Sequence, residues 1–386
     1  MKEFSILLGA GFSKDALIPD RKLINDKLRS LKFSDFMISS VSIAYFTGEN
    51  HPNSSWQNVY ERKFVEFFIE KYNALFDDFD YESLYDYAMG LYKNHETSKE
   101  LQEIYDEFKS EKPHYPIDKL NSISIVIRTI DQLVDSLLYF DSDIFQNGIV
   151  NKYSSFLNLI DHLSQNDYKV SIFTLNHDLL LESLLRTSLN HAFTDGFQYE
   201  FTPYYIKQGE LQYRIKYYTN KYDGTVNIFK LHGSVDNYKV NYSQPFDMVK
   251  IPKKLNHINL YREKKTEDQK VTTENIWTLY ESDFLTGNDT KIEKYKSHDY
   301  YVDIFTHFEE RLERSSLLLI LGYGLADKEI NNKIFEHFDY KKNKIIVVKP
   351  SKGSKAFYRD DNIVHYGNGK LTSDITVEEI IKYLDM

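Results

Sequence analysis

Four short apolar runs, far apart in the chain, each stop abruptly on glycine or a polar side chain: LLGAGFS at 7–13, FTLNHD at 173–178, KLHGS at 230–234 and LILGYG at 319–324. An unbroken apolar run bounded by turn residues is the pattern of a strand buried on both faces, and such strands belong to parallel sheets. A parallel sheet gathers the carboxyl ends of its strands along one edge, where open α/β sheets take their ligands. The small and polar residues that follow the four runs therefore converge. The expected class is α/β, a Rossmann-like, mostly parallel sheet with helices on both faces.

Between these runs the periodicity changes. The first run ends in Gly9-Ala10-Gly11, the form of a strand meeting a tight turn and a helix. From residue 23 to 164 apolar side chains recur at spacings of three and four, as in FVEFFIEKYNALF (64–76), YESLYDYAMGLY (81–92) and ISIVIRTIDQLVDSLLYF (123–140). This stretch reads as a helical insertion module. Strand and helix then alternate to the end of the chain, and parallel βαβ units follow. A stretch from 195 to 270, with glycines at 196, 209 and 224, reads as hairpins and loops whose order the sequence does not fix. The expected organisation is a Rossmann-like domain over 1–22 and 165–386, interrupted by the helical module 23–164.

Composition removes several functions. Acidic residues number 58 against 48 basic ones, and no lysine or arginine stripe interrupts this excess, so direct nucleic-acid binding is not expected. No run approaches the ~18 apolar residues of a membrane span, and the N-terminus lacks a signal-peptide pattern, so a cytoplasmic protein without membrane contact is expected. The chain has no cysteine. Disulfides, a thiolate nucleophile and cysteine-ligated zinc are excluded together.

Each strand end offers a candidate with an ordinary structural alternative. The turn Gly9-Ala10-Gly11 with Ser13 can face backbone N–H groups toward a pyrophosphate, or be only a tight turn. It is not a dehydrogenase fingerprint, since Lys14 stands at the third glycine position. Asn176 and Asp178 follow a strand of apolar and small residues; an amide there can hold a water or a ribose hydroxyl, and both residue types also cap helices. His232 offers an imidazole suited to proton transfer near neutrality, although lone histidines are often structural. His177 is expected to point the other way along its strand. Gly322, Tyr323 and Gly324 leave room for a ribose or adenine with Tyr323 stacked on it, or make a turn; Lys349 ends the next strand.

Read in order, GAGxS, T-x-N-x-D, HG and a glycine-bounded strand end resemble the sirtuin (SIR2) family. The resemblance implies NAD+ as substrate, no metal, and a catalytic pair of Asn176 and His232. It places Gly9, Ala10, Gly11, Phe12, Ser13, Asp20, Thr174, Asp178, Gly322, Tyr323, Gly324 and Lys349 in the NAD+-binding set. Three departures from the protein deacylases stand out: the cysteine zinc module is absent, Ile18-Pro19-Asp20-Arg21 lacks the phenylalanine of the deacylase string, and Leu175 replaces a glutamine. The pattern is more similar to bacterial SIR2-like NAD hydrolases of anti-phage defence, whose F-L-T-G string has a counterpart at 284–287. The implied function is an NAD+ glycohydrolase acting as an abortive-infection effector. Its alternatives are a non-enzymatic NAD+ or ADP-ribose sensor and, less well matched, an NAD-dependent deacylase. The chain stops soon after the sheet, so control is expected to come from assembly: a homo-oligomer, or a HerA-type ATPase or Argonaute-type partner. The helical module is the expected contact region and lid.

Overall fold

The unbroken apolar runs become the inner strands of one parallel sheet. The computed structural model describes residues 2–30, 54–115, 117–138, 147–188, 193–240, 247–252, 255, 260–265, 270–276, 282–288, 290–297, 299–348, 363–366 and 377–383. The chain divides into two compact units, one of residues 1–20, 138–279 and 294–386, the other of residues 21–137 and 280–293.

All described strands lie in the first unit. In chain order they are β1 (Lys2–Leu8), β2 (Tyr168–Thr174), β3 (Phe193–Thr194), β4 (Gly196–Gln198), β5 (Tyr204–Gln208), β6 (Leu211–Arg214), β7 (Lys216–Lys221) and β8 (Val226–Lys230). They continue as β9 (Asn237–Val240), β10 (Asp247–Lys250), β11 (Leu260–Lys265), β12 (Val271–Asn275), β13 (Ser315–Leu321), β14 (Lys344–Val348) and β15 (Ile363–Tyr366). Seven of them form a sheet in the order β15-β14-β13-β1-β2-β8-β3, with every neighbouring pair parallel. Burial explains their composition. Phe4, Ile6, Leu7, Val170, Ile172, Phe173, Ile228 and Leu319 are all fully buried, so few polar positions survive along these strands. Those that do are paired: Ser5 Oγ meets Ser315 Oγ at 2.7 Å, and Glu3 accepts from Ser171 Oγ at 2.6 Å and from Arg311 at 3.0 Å.

Register places the strand ends level with one another. Lys230 pairs with Thr174, Thr174 with Leu8, and Leu8 with Leu321, a single row across β8, β2, β1 and β13. From β1 the chain builds outward through β2 and β8, then returns to lay β13 on the opposite side of β1. The strand order therefore reverses between β1 and β13, the place where an open α/β sheet leaves a crevice beyond its carboxyl ends.

Helices flank the sheet. Helix Ser154–Gln165 buries Phe156, Leu157, Leu159, Ile160 and Leu163, and helix Asp299–Arg314 sets Phe308 against Phe173, ring centroids 4.7 Å apart. Apart from β8, which joins the parallel sheet, the strands from β4 to β12 form two antiparallel sheets, β4-β7-β10-β9 and β12-β11-β5-β6. They share a core of Tyr204, Ile206, Ile215, Tyr238, Val249 and Leu260. At the start of β4, buried Asp195 accepts from Lys250 at 2.8 Å. Burial alone would raise the Asp195 carboxyl, but Lys250 and Lys216 hold it below the ordinary range.

The second unit is helical, as the three-and-four spacing predicts. Asp80 and Ser98 cap helices Tyr81–Lys93 and Lys99–Glu111 by accepting from Ser83 N and Leu101 N. Two boundaries differ from the sequence expectation. Residues 138–164 belong to the first unit, because the apolar face of Ser154–Gln165 is buried there rather than among the other helices. Residues 280–293, which carry the FLTG string, belong to the second, held by carboxylates on its helices. Asp135 accepts from Ser282 Oγ at 2.8 Å, Asp131 from Thr286 Oγ1 at 2.9 Å, and Asp86 from the Asn288 and Thr290 N–H groups at 2.6 and 3.1 Å. No described helix is long and apolar enough to cross a membrane.

Candidate active site at the carboxyl edge of the sheet

The loops after β1 and β13 touch backbone to backbone, and only glycine permits it. Gly9 N donates to the Leu321 carbonyl at 3.0 Å and Gly11 N to the Gly322 carbonyl at 2.8 Å. A Cβ on Gly9 would lie 2.6 Å from Tyr323 Cα, and one on Gly322, whose φ is +63°, would lie 2.3 Å from Phe12 N. Two of the N–H groups expected to face a pyrophosphate are therefore already bonded within the protein. Ala10, between them, is exposed, and around Gly324 a Cβ would meet nothing within 4 Å.

Against this zipped turn stands a short polar chain. The Asn176 Nδ2 group donates to the Gly9 carbonyl at 3.0 Å and to Ser13 Oγ at 2.9 Å, and Ser13 Oγ donates onward to Asp178 Oδ2 at 2.8 Å. Both amide hydrogens are thus used, and because a carbonyl only accepts, the orientation of the amide is fixed. Among the described residues, Asn176 Oδ1 has no hydrogen-bond partner. It is a held acceptor at the sheet edge, the arrangement a ribose hydroxyl or water requires. Asp178 is fully internal: Oδ1 accepts from Leu180 N at 3.0 Å, starting helix Leu180–Ser188, so it caps as well as bracing Ser13. Burial raises its carboxyl above the ordinary range, opposed chiefly by nearby Lys230. Lys230 Nζ donates to the Asp178 carbonyl and lies 3.4 Å from Glu182 Oε1, with both side chains buried. Thr174 Oγ1 accepts from Asn176 N at 3.1 Å, which closes the turn after β2.

His232 reaches the same edge from β8. Its Nε2 lies 3.4 Å from Asp327 Oδ2, and its ring faces Tyr295 and His177 at centroid distances of 6.2 and 6.1 Å. The His177 reading is corrected here. β2 ends at Thr174, so strand alternation no longer governs residue 177 and its ring stands beside His232. The His177 carbonyl also accepts from Val235 N at 3.1 Å, tying the loop after β8 to the loop after β2.

Other expected site residues have different surroundings. Phe12 is a core residue, 1% exposed, packed 5.1 Å from Tyr153 and 5.0 Å from Phe156. Tyr323 is turned into its own loop rather than outward for stacking: its hydroxyl donates to the Asp327 carbonyl at 3.0 Å and accepts from Asp327 N at 3.1 Å. Asp20 is half-buried and immediately precedes helix Arg21–Ser30. Lys349 lies outside the described residues. Asp327 was not singled out in the sequence. Its N-cap position before helix Lys328–His337 was legible, but its reach to His232 was not. Among the described residues no group of three or more His, Cys, Asp or Glu could hold a metal ion.

Four strand ends thus meet, with a fixed amide after β2 and, after the adjacent β8, an imidazole 3.4 Å from a carboxylate. The family of the SIR2-like domain matches residues 170–365, a span that includes Asn176, His232 and Asp327 and begins after β1. No curated protein matches the chain. A solved structure described as "Structural Basis for the Mechanism and Regulation of Sir2 Enzymes" aligns with 100% of this chain and 94% of its own, at 10% identity and a TM-score of 0.33, a likeness too low to carry an argument. On the family match, which spans just over half of the sequence, the chain belongs to the SIR2-like domain family.

Proposed function

We propose that this chain is an NAD+ glycohydrolase. The observation that carries the reading is the Asn176 amide, locked by Gly9 and Ser13 with its carbonyl left as an acceptor, one strand away from His232. Cleavage of the nicotinamide–ribose bond passes through an oxocarbenium-like centre, and the leaving nicotinamide departs as a neutral base, so no general acid is needed. The water oxygen forms the new bond to the anomeric carbon, the carbon–nitrogen bond breaks with its electron pair going to nicotinamide, and the water proton passes to His232. Asn176 Oδ1 orients the water or a ribose hydroxyl. Positioning and base catalysis contribute on the order of 10²-fold each. The products are nicotinamide, ADP-ribose and a proton.

Without cysteine the chain cannot build the zinc module of the deacylases, which disfavours acyl-lysine chemistry. By the same resemblance, the proposed setting is anti-phage defence. Control comes from assembly, with further copies of this chain or with a HerA-type or Argonaute-type partner. The test is nicotinamide release from NAD+ by the purified full chain, alone and with its genomic neighbour's product. Saturable binding with NAD+ left intact under both conditions would favour a sensor instead.

A further inference from the structure

We propose that Asp327 is the positioning residue of His232: a carboxylate brought from the β13 loop that fixes the orientation and tautomer of the imidazole. This rests on the reading of His232 as the base. Three observations carry it.

The first is geometric. Asp327 Oδ2 lies 3.4 Å from His232 Nε2, and both side chains are about nine-tenths buried, at 10% and 9% relative exposure for His232 and Asp327. A carboxylate beside one ring nitrogen draws the neutral imidazole's proton to that nitrogen, so the lone pair sits on the other. The second is that the carboxylate is held before any ligand arrives. Its Oδ1 accepts from Glu329 N at 3.1 Å and Ile330 N at 3.2 Å at the start of helix Lys328–His337, and its own N–H and carbonyl are clamped by the Tyr323 hydroxyl. One oxygen caps the helix while the other faces the histidine. The third is the backbone that delivers it. Gly322 and Leu325 have φ of +63° and +59°, and a leucine in the left-handed region is a strained placement that its surroundings must enforce. Here Asn331 Nδ2 holds the Leu325 carbonyl at 3.0 Å. The loop's side chains thus serve Asp327 rather than a stacking surface.

Among the described residues, Asp327, the His177 ring and the Tyr295 ring face His232, and a titration of His232 is read against them. Asp327→Asn keeps a competent cap without the charge, and Asp327→Ser keeps a cap too short to reach the imidazole. The proton NMR titration of the histidines, with the His232 signal identified by its loss in His232→Gln, reads the imidazole directly. It does so even if the chain proves not to consume NAD+.

The expected result is that the His232 midpoint moves to lower pH in both variants, because removing a neighbouring anion disfavours the imidazolium. In an active preparation, kcat falls roughly 10- to 1,000-fold with KM little changed, and the acidic limb of the pH profile moves to lower pH with the midpoint. Both variants retain the parental melting behaviour. An unmoved His232 midpoint overturns the proposal. So does parental kcat in both variants, or a kcat loss accompanied by matching loss of stability and an unchanged pH profile.

Discussion

Removing one buried oxygen, Ser13 Oγ, tests the site's internal scaffold. In Ser13→Ala, Asp178 loses a donor at 2.8 Å and Asn176 loses one of its two acceptors, at 2.9 Å. Hydrogen bonds to charged groups contribute about 1.5–3 kcal/mol and neutral ones about 0.5–1.5 kcal/mol, so the variant should lose about 2–4 kcal/mol at pH values where Asp178 is ionised. The loss should depend on pH with a definite sign. Burial holds the Asp178 carboxyl above its unfolded value, so its contribution to folding is most favourable below the unfolded pKa and is lost as pH rises through the folded one. Ser13 opposes that loss by binding the ionised form. Its removal therefore costs most above the folded pKa, and the difference between parent and variant shrinks on acidification. Denaturant titrations at several pH values read this directly. Asn176 keeps only its Gly9 contact, so NAD+ consumption should fall as well. A difference under about 0.5 kcal/mol throughout the pH range, or one that grows as pH falls, would refute the reasoning.

Glycine substitutions should separate packing from ligand access. Gly322→Ala places a Cβ 2.3 Å from Phe12 N at a φ of +63° and should cost more than about 3 kcal/mol, whereas Gly324→Ala meets nothing within 4 Å and should melt like the parent. Equal melting temperatures for the two would contradict the zipped-loop account. Lys230→Met leaves Glu182 buried without its cation and should cost about 3–5 kcal/mol, while adding Glu182→Leu should restore most of the loss in equilibrium unfolding. Tyr153→Phe removes the 2.6 Å bond to the Phe12 carbonyl and should cost about 1 kcal/mol, with circular dichroism otherwise unchanged.

The strand ends were legible because burial on both faces writes an unbroken apolar run, and parallel pairing brings the ends of such runs to one edge. That is why Asn176, Asp178 and His232 stand along one edge. What the sequence hid was partnership. Gly9, Gly11 and Gly322 looked like room for a ligand, but they are room for each other, a close backbone approach that no residue type announces. Phe12 follows a glycine turn and is grouped with the site, although its ring faces Tyr153, the residue just ahead of helix Ser154–Gln165. Three-and-four spacing marked Ser154–Gln165 as a helix without saying which core receives its apolar face. The hairpins between β3 and β12 carried no order, because antiparallel pairing there depends on turn geometry and on the shared core of Tyr204, Ile206 and Leu260.

The central claim is that Asn176 and His232 act on one bond of NAD+. Chromatography of NAD+, nicotinamide and ADP-ribose during incubation with the parent chain, Asn176→Ala and His232→Ala, with or without an activating partner, tests it most directly. The account predicts equimolar nicotinamide and ADP-ribose from the parent and neither product from the two folded variants. NAD+ loss at the parental rate in both variants would contradict it.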